Sequence, residues 1–590
     1  MRNRLPVLVI LVAFVLGGVV LDRTQDAEEP EVATVEVAPT DFPMAPSAGA
    51  VTSTWFCAGG TADEEGFAAH VVTMLNTTAE PLAVDLTVFP GIVAPPVVDP
   101  EADELDPEAE EEPAEEETGE EAEPTEVVDV PDDPVTDRLE IGPRSRVRIA
   151  LSDVVVAPVA SALVEAVGDG LVVEHEVSSI HGIDAKPCAT AASDEWHFAW
   201  GTTKREAREL LVLFNPFPDD AIVEGVFSTE DTVREPGRFA GGLVVPARST
   251  VGIDLGDDVT RRDEVAATLR TRAGRVVVDR IVRVDEEGGE RGLTVQLGVP
   301  EPQRAWVFPD GLVSETVSER YVVYNPTEDL AEVEISFALD RAQELGIPEP
   351  VDLSIAPGEH VTVDLGADGR IPAGVPHSAV VRSANDVPIV AERVVGSRDS
   401  VRRGLTVTTG SPVEATEWTF AAGSTEKPSA QSLTMVNLDP QVLTEVDVVA
   451  LVGGREVPVS ELQDVVIEPG ERLNVDLTPR IANRPDLAVV VRATEPIVVE
   501  RVLAQTGSEQ RGMSLAVGVP SPEDRRVPID PVETGADAGT ADDLGDLPTE
   551  GDGGDEPPQA PEDVELPEPD ETIVIEDPDA EATVPGQDGD

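Results

Sequence analysis

Apolar and polar residues alternate with a period of two along much of this chain, and the alternation predicts β-strands. It is plain in Glu332–Phe337 and in His360–Leu365, because successive side chains of a strand point to opposite faces of a sheet. Uninterrupted apolar runs such as Leu210–Phe214 suit strands that are buried on both faces. Between residues 303 and 413 we count about eight short strands bounded by Gly, Pro and Asn turns, a density that predicts an all-β, immunoglobulin-like sandwich.

The same landmarks recur four times in the same order, which indicates an internal repeat. Each copy opens on a Trp, passes an Asn and a turn Pro, and closes on a Gly. The first two landmarks are Trp55, Trp196, Trp306 and Trp418, then Asn76, Asn215, Asn325 and Asn437. The last two are Pro143, Pro246, Pro357 and Pro469, then Gly182, Gly292, Gly404 and Gly512. We therefore predict a tandem array of four β-sandwich repeats, at residues 51–190, 191–302, 303–413 and 414–524.

Three acidic segments have compositions that predict disorder. Residues 24–50 contain Pro and Ala among acids and resemble a stalk, and residues 525–590 form a tail. Repeat one is longer than the others, and its excess length matches an acidic run at 99–133 that has no Lys or Arg. Such segments cannot bury enough apolar surface to fold. We therefore interpret 99–133 as a disordered insertion in a loop between two strands.

Residues 1–23 form the predicted membrane anchor. Arg2 and Arg4 precede an uncharged apolar run from Leu5 to Leu21, which would be about 25 Å long as a helix, at the short end of a membrane span. A cleaved signal peptide is the alternative, and we favour the uncleaved helix because no clean small-x-small cleavage site follows the run. The positive-inside rule keeps the N-terminus in the cytoplasm. The prediction is a single-pass membrane protein with an extracytoplasmic ectodomain, or a secreted protein if the leader is cleaved.

The charge of the chain excludes one class of partner. The 590 residues include 41 basic and 117 acidic side chains, a formal net charge of −76. Nucleic-acid binding by phosphate neutralisation needs Lys and Arg, so no nucleic-acid partner is expected. The same charge argues against docking on an anionic membrane surface.

Two cysteines, Cys57 and Cys188, bracket repeat one. Cys57 takes the place that Phe occupies in the later repeats, and Cys188 follows the closing Gly182. We predict a disulfide between them, which fits an oxidising compartment. It closes a loop of 188 − 57 = 131 residues and is worth roughly 4–5 kcal/mol in the chain-entropy model. Two unrelated buried thiols are the alternative.

An acid–base pair recurs on the returning strand of each repeat. The pairs are Glu174–His175, Asp279–Arg280, Glu392–Arg393 and Glu500–Arg501. Neighbours on a strand point to opposite faces, so one charge of each pair faces inward or toward a neighbouring repeat and needs a partner there. We interpret the pairs as structural, fixing a strand register or locking adjacent repeats. A catalytic carboxylate repeated in every domain is the alternative.

No motif predicts a catalytic residue, a cofactor or a metal site. Ser424–Lys427 spells Ser-x-x-Lys, but the companion Ser-Asp-Asn and Lys-Thr-Gly motifs are missing, which favours a surface turn. His175, His181 and His197 with Cys188 match no standard zinc spacing. The predicted site residues are therefore the disulfide and the acid–base pairs.

Repeat motifs point to a family. Repeat two carries Trp196-x-Phe198-Ala199-x-Gly201, Asn215-Pro216 and Val245-Pro246-Ala247-x-Ser249. Repeats three and four add Pro388-Ile389-Val390 and Pro496-Ile497-Val498 ahead of their Glu-Arg pairs. Over about residues 51–524 this pattern resembles a repeat of secreted or membrane-anchored actinobacterial proteins, a family of unknown function. Repeat one departs from it, because His175 replaces the Arg. The resemblance implies a location and an architecture, and no known activity.

Two functions follow as expectations. The first is a non-enzymatic, membrane-anchored extracytoplasmic β-repeat protein with a structural or binding role at the cell envelope, and an envelope protein or polysaccharide as its candidate partner. The alternative is an envelope enzyme or accessory subunit that acts on polysaccharide or peptidoglycan. Polar residues confined to one repeat would favour the enzyme, whereas polar residues shared by all repeats favour the structural role.

Overall fold

The computed structural model describes residues 42–63, 66–96, 133–340, 342–400, 402–507 and 511–528. Over these ranges the regular secondary structure is almost entirely β-strand, so the all-β prediction is confirmed. The described helices are single turns at Leu151–Asp153, Gly237–Ala240, Leu255–Asp257, Ala342–Leu345 and Leu365–Asp368. None of them is long and apolar enough to cross a membrane. The predicted anchor at 1–23, nearly all of the acidic insertion and most of the tail lie outside the described residues.

Repeat one forms two antiparallel sheets. Its strands are β1 (Thr52–Cys57), β2 (Ala69–Asn76), β3 (Leu82–Val93), β4 (Val135–Ile141), β5 (Arg146–Ala150), β6 (Val159–Val167), β7 (Leu171–Ser179) and β8 (Gly182–Pro187). One sheet has the order β1–β6–β3–β4, and the other has the order β5–β2–β7–β8.

Repeat two is built in the same way. Its strands are β9 (Glu195–Phe198), β10 (Ala207–Asn215), β11 (Ala221–Thr229), β12 (Val233–Arg234), β13 (Leu243–Val245), β14 (Ser249–Asp254), β15 (Val265–Ala273), β16 (Val277–Asp285) and β17 (Arg291–Leu297). β9, β15 and β11 form one sheet with β12 and β13 on β11, and β14–β10–β16–β17 form the other. β14 also pairs in parallel with β3, which joins repeats one and two.

Repeat three has the most regular pair of sheets. Its strands are β18 (Ala305–Leu312), β19 (Val317–Tyr324), β20 (Ala331–Leu339), β21 (Val351–Ile355), β22 (His360–Asp364), β23 (Pro376–Ser383), β24 (Val390–Arg398) and β25 (Arg403–Thr409). The sheet orders are β18–β23–β20–β21 and β22–β19–β24–β25.

Repeat four shares one long strand between its two sheets. Its strands are β26 (Ala415–Phe420), β27 (Ser429–Val436), β28 (Thr444–Val452), β29 (Arg455–Pro458), β30 (Val465–Ile467), β31 (Arg472–Asp476), β32 (Ala488–Thr506), β33 (Arg511–Val517) and β34 (Val519–Pro520). The first half of β32 pairs with β26 and β28, and the second half pairs with β27 and β33.

The recurring Trp and Asn residues hold each repeat together. The buried Trp306 indole donates a hydrogen bond of 2.9 Å to Ile389 O, just before β24, and the other three signature Trp residues make the equivalent bond. Asn325 Nδ2 donates to Ile355 O at 2.9 Å, across the turn. A buried donor needs such a partner, which explains why the Trp and the Asn recur at fixed spacing.

Four central strands join the repeats into a closed cycle. β8 contacts β17, β17 contacts β25, β25 contacts β33, and β33 contacts β8. The closing glycines permit this approach: a Cβ on Gly182 would lie 2.8 Å from Leu293 N, and one on Gly512 would lie 2.5 Å from Ile183 N. A side chain at either position would overlap the backbone of the next strand, so the repeated Gly is a packing requirement.

The described ends of the chain differ from the predicted stalk and tail, because they pack against the repeats. Pro43 is buried, and Ala45 N donates to Pro520 O at 3.0 Å. Arg526 Nε lies 3.1 Å from Glu414 Oε2, and Pro528 is buried. These short described segments therefore belong to the packed part of the chain.

Candidate functional site

Buried ion pairs connect successive repeats. Arg280 bonds Glu392 through two nitrogens, at 3.1 and 3.2 Å. Arg393 Nη2 lies 2.5 Å from Glu500 Oε1, and Arg501 Nη1 lies 2.7 Å from Glu174 Oε2. Each arginine therefore pairs with the acid of the following repeat, and repeat four pairs with repeat one. We call these three contacts, and the equivalent contact between repeats one and two, the junctions.

The sequence neighbours do not pair with each other. In β24, Glu392 reaches back to repeat two while Arg393 reaches forward to repeat four, because adjacent side chains leave a strand in opposite directions. All three arginines and their partner acids are almost completely buried. Buried charges are tolerated when they are paired, although the Nε atom of each of these arginines has no hydrogen-bond partner among the described residues.

The aromatic signature completes the three junctions that contain an arginine. The residues after the Trp-x-Phe strand donate backbone hydrogen bonds to the incoming acid: Trp200 N to Glu392 at 2.7 Å, and Ala421 N to Glu174 at 2.7 Å. The arginine lies over the signature Phe, with Arg280 Cζ 5.0 Å from the Phe198 ring centre. Backbone N–H groups and a ring face both stabilise charges that have lost their water.

The junction between repeats one and two lacks an arginine. His175 Nε2 lies 3.7 Å from Asp279 Oδ2, and His175 Nδ1 lies 3.2 Å from His70 Nε2. Asp279 Oδ2 accepts hydrogen bonds from Ala58 N and Gly59 N, at 3.1 and 2.7 Å. Burial raises the pKa of Asp279 to about 7 and lowers the pKa values of His175 and His70 to about 4 and about 3. The imidazoles are therefore neutral at pH 7.

The disulfide accompanies this substitution. The predicted Cys57–Cys188 bond is present, with Cα atoms 4.8 Å apart. Cys57 stands where the other repeats place the Phe beneath the arginine. Repeat one thus has neither the Phe ring nor the arginine of the other repeats, and the disulfide lies where the Phe ring would be.

The central strands carry a second cycle of contacts, which we call the central polar cluster. It is formed by the residue two positions after each closing Gly: Asp184, Thr294, Thr406 and Ser514. Each accepts a hydrogen bond from a backbone N–H of another repeat. The donors are Val295 N to Asp184 (3.1 Å), Val407 N to Thr294 (3.0 Å), Leu515 N to Thr406 (3.3 Å) and Ala185 N to Ser514 (3.1 Å). Because an unpaired buried N–H is costly, this cluster explains how four sheet edges can meet in the interior.

Repeat one supplies the charges of the central polar cluster. Lys186 Nζ lies 3.4 Å from Asp184 Oδ1 and 3.4 Å from Thr406 Oγ1, and it also contacts Leu515 O. Burial lowers the pKa of Lys186 and raises that of Asp184, while their mutual attraction opposes both shifts. Both side chains are buried, so the Asp184–Lys186 pair is a contact inside the fold.

Sequence reasoning placed some of these residues and missed others. Asp279, Arg280, Glu392, Arg393, Glu500 and Arg501 all lie in the junctions. His70, Asp184 and Lys186 were missed. Aligning the repeats on the closing Gly would have revealed Asp184, because the same offset is polar in every copy.

The residues considered for zinc do not form a site. Cys188 is in the disulfide, His175 lies against His70, and His197 Nδ1 lies 2.9 Å from Thr268 Oγ1. Within the part of the chain that the structure describes, no three His, Cys, Asp or Glu residues are grouped to hold a metal ion.

The strands and their contacts define an all-β protein in which β8, β17, β25 and β33 contact one another in a cycle. Residues 161–403 match the model of a family described as "Family of unknown function (DUF5719)", which is less than half of the chain. No curated protein matches.

Two solved structures show low similarity to this chain. "Crystal Structure of Thermotoga maritima 1070" is 23% identical over 19% of this chain and 95% of that chain, with a TM-score of 0.17. The Streptomyces avermitilis alpha-L-rhamnosidase complexed with L-rhamnose is 8% identical over 57% of this chain and 50% of that chain, with a TM-score of 0.11. Neither likeness carries an argument about function.

Proposed function

We propose that this protein is a non-enzymatic, membrane-anchored extracytoplasmic scaffold with a structural or binding role at the cell envelope. In this proposal each two-sheet repeat is an immunoglobulin-like sandwich, and the whole belongs with the actinobacterial proteins that its motifs resemble. The match to a family of unknown function over residues 161–403 is compatible with that assignment.

One observation supports the proposal: the charged side chains that recur in the repeats pair with one another in the interior of the fold. Glu174, Glu392 and Glu500 each face an arginine and a backbone N–H of a neighbouring repeat. A carboxylate that acts on a substrate must meet solvent or a cleft. Buried and fully paired, these acids support a scaffold instead of a repeated catalytic site.

Polar residues confined to one repeat were the feature that would favour an enzyme. Repeat one has polar side-chain types that the other copies lack at the same offsets, in His70, His175, Asp184 and Lys186, but all four are buried. Asp184 and Lys186 bond each other and the neighbouring central strands. Their position supports a role in closing the cycle, so we rank the scaffold above the polysaccharide- or peptidoglycan-acting alternative.

The three lysines of the chain allow a direct test of location. Lys427 is exposed, Lys204 is partly exposed and Lys186 is buried. A membrane-impermeant amine reagent applied to intact cells should label Lys427 and, more weakly, Lys204. Lys186 should react only after denaturation, which makes it an internal control for folding.

Fractionation of the same cells distinguishes the two modes of export. Recovery of labelled full-length chain in the membrane supports the anchor, and recovery in the medium with a new N-terminus near residue 22 supports secretion. Labelling of Lys427 only after cell lysis would contradict the extracytoplasmic proposal.

A further inference from the structure

A groove of about 470 Å³ lies between repeats two and three. The β16–β17 hairpin of repeat two forms one side, and the turn before β19 and the ends of β22 and β24 form the other. Its volume is within the range of small-molecule sites, about 300–1,000 Å³. The groove is therefore large enough to hold an organic ligand.

Contacts between the two repeats join the sides of the groove. Glu290 of repeat two bonds Arg320 of repeat three, with Arg320 Nη2 lying 3.0 Å from each carboxylate oxygen. Ser318 Oγ donates to Glu290 Oε1 at 3.3 Å. A Cβ on Gly396 would lie 2.9 Å from the same oxygen, so the glycine leaves room for this contact. Because its sides are already joined, the groove needs little ordering when it binds a ligand.

Three charged residues of the lining have hydrogen-bonding groups that the fold does not use. The Glu315 carboxylate has no hydrogen bond or ion pair among the described residues. Among the same residues, Asp364 accepts through Oδ1 alone, from Ala367 N at 3.0 Å. Arg398 donates two long bonds there, of 3.4 Å to Gly288 O and 3.3 Å to Glu315 O. Glu315, Asp364 and Arg398 are exposed, so these groups can meet a ligand in the groove.

The side chains of the lining exclude several classes of ligand. The Glu315 and Asp364 carboxylates oppose an anion, and the Arg398 guanidinium opposes a cation. Val317 is the only large apolar side chain among the described residues that line the groove, so an apolar ligand would bury little apolar surface. Thr316 is exposed and adds a hydroxyl, which can donate and accept. These groups together suit an uncharged ligand that is rich in hydroxyl groups.

We propose that this groove binds an uncharged saccharide segment of an envelope polysaccharide. Neighbouring sugar hydroxyls donate to the Glu315 and Asp364 carboxylates and accept from the Arg398 guanidinium. The inference rests on the proposed binding role and names the partner class for that role. An envelope protein is the competing partner, and the test separates the two.

The test is co-sedimentation of the purified full-length chain with insoluble envelope polysaccharide from the same cells. One sample of the polysaccharide is left untreated, and a second is digested with protease until no protein is detected in it. The chain should sediment equally and saturably with both samples. Binding to the untreated sample alone would identify an envelope protein as the partner and overturn the inference, as would binding to neither sample.

Substitutions place the binding in the groove. Ala367 is exposed and lines the groove, so A367W should fill it and weaken binding by at least about tenfold. A384W, at an exposed position outside the groove, is the matched control and should bind as the wild type does. E315Q removes a charged acceptor that the fold does not use. It should weaken binding by about tenfold, because one hydrogen bond to a charged group is lost.

Each variant is compared only if it keeps the wild-type circular dichroism and melting profile. E315Q decides the outcome alone if A367W does not fold. A folded A367W or E315Q chain that binds as tightly as A384W would overturn the inference.

The two proposals fail separately. An extracytoplasmic chain without saccharide binding contradicts this inference alone. Release of reducing ends from the sedimented polysaccharide contradicts the non-enzymatic role alone, and shielding of Lys427 in intact cells contradicts the proposed location alone.

Discussion

His175 Nε2 and Asp279 Oδ2 lie 3.7 Å apart without a hydrogen bond, at the place where the other junctions set an arginine against a carboxylate. Asp279 is held instead by two backbone N–H groups of repeat one. With no fixed cation beside it, its ionised form is poorly compensated. The stability of this junction should therefore respond to pH near neutrality.

We expect D279N to gain stability relative to the wild type as pH rises from 5 to 8. Burial raises the pKa of Asp279 to about 7, so the folded state binds more protons than the unfolded state. The stabilising contribution is complete below the unfolded pKa of about 3.9 and is lost as pH rises through about 7. Asn cannot ionise, and its Oδ1 can still accept the two backbone bonds.

Urea denaturation at several pH values measures this difference. The gain should be about 1 kcal/mol or more between pH 5 and pH 8. His175 is present in both proteins, so the comparison isolates Asp279. D137N, at an exposed position, should show no comparable gain, and an unchanged difference between D279N and wild type across this range would refute the prediction.

Removing one partner of a buried junction should be more damaging than removing both. R393M leaves the Glu500 carboxylate buried without its arginine, and we expect a loss of about 3–5 kcal/mol. R393M/E500Q removes the unpaired charge and should recover part of that loss. Chemical denaturation of the two variants gives the comparison.

The control for this series is R138M, which breaks the exposed Arg138–Asp85 pair. Exposed pairs contribute little, so its denaturation midpoint should stay close to that of the wild type. Equal losses for R138M and R393M would show that burial of the junction is unimportant.

The close approach of the central strands should make Gly512 intolerant of a side chain. In G512A the new Cβ would lie 2.5 Å from Ile183 N, and backbone atoms cannot move aside without shifting β8. We expect a loss of about 1–3 kcal/mol. In G237A, where no heavy atom lies within 4 Å of the added Cβ, the change should stay within about 0.5 kcal/mol, and similar melting temperatures for both variants would contradict the proposed packing.

The local features of the fold could be predicted from the sequence, whereas the cycle of contacts between the repeats could not. The alternation of apolar and polar residues predicts the strands. The Trp and Asn landmarks mark hydrogen bonds within one repeat, and the closing Gly marks the contact of a central strand with its neighbour. The partner of Arg501 is Glu174, 327 residues away, and no local pattern encodes that pairing. The Arg501–Glu174 pairing depends on which strands of different repeats contact one another, and only the folded structure shows those contacts.

Repeat one illustrates the second limit. Its substitution of His175 for arginine was visible, but its meaning depends on His70, which lies 105 residues away in sequence and within 3.2 Å in space. The same holds for Lys186, whose partners Thr406 and Leu515 come from repeats three and four. A divergent copy of a repeat is therefore the place where sequence reasoning needs the structure most.

The disulfide should be the main source of stability specific to repeat one. Cys57 and Cys188 enclose 131 residues, and removing a native disulfide typically costs about 2–5 kcal/mol, with the chain-entropy model near the upper end for a loop of that length. C57A/C188A should therefore unfold at lower denaturant concentration than the wild type by that free energy. Reduction of the wild type should reproduce the loss and leave the double variant unchanged.

Because both sulfur atoms are buried, alkylation after mild reduction should be slow in the native protein and fast in denaturant, as followed by mass spectrometry. If the native protein is alkylated as fast as the denatured one, the bond is not enclosed by repeat one and the assignment of its role is wrong.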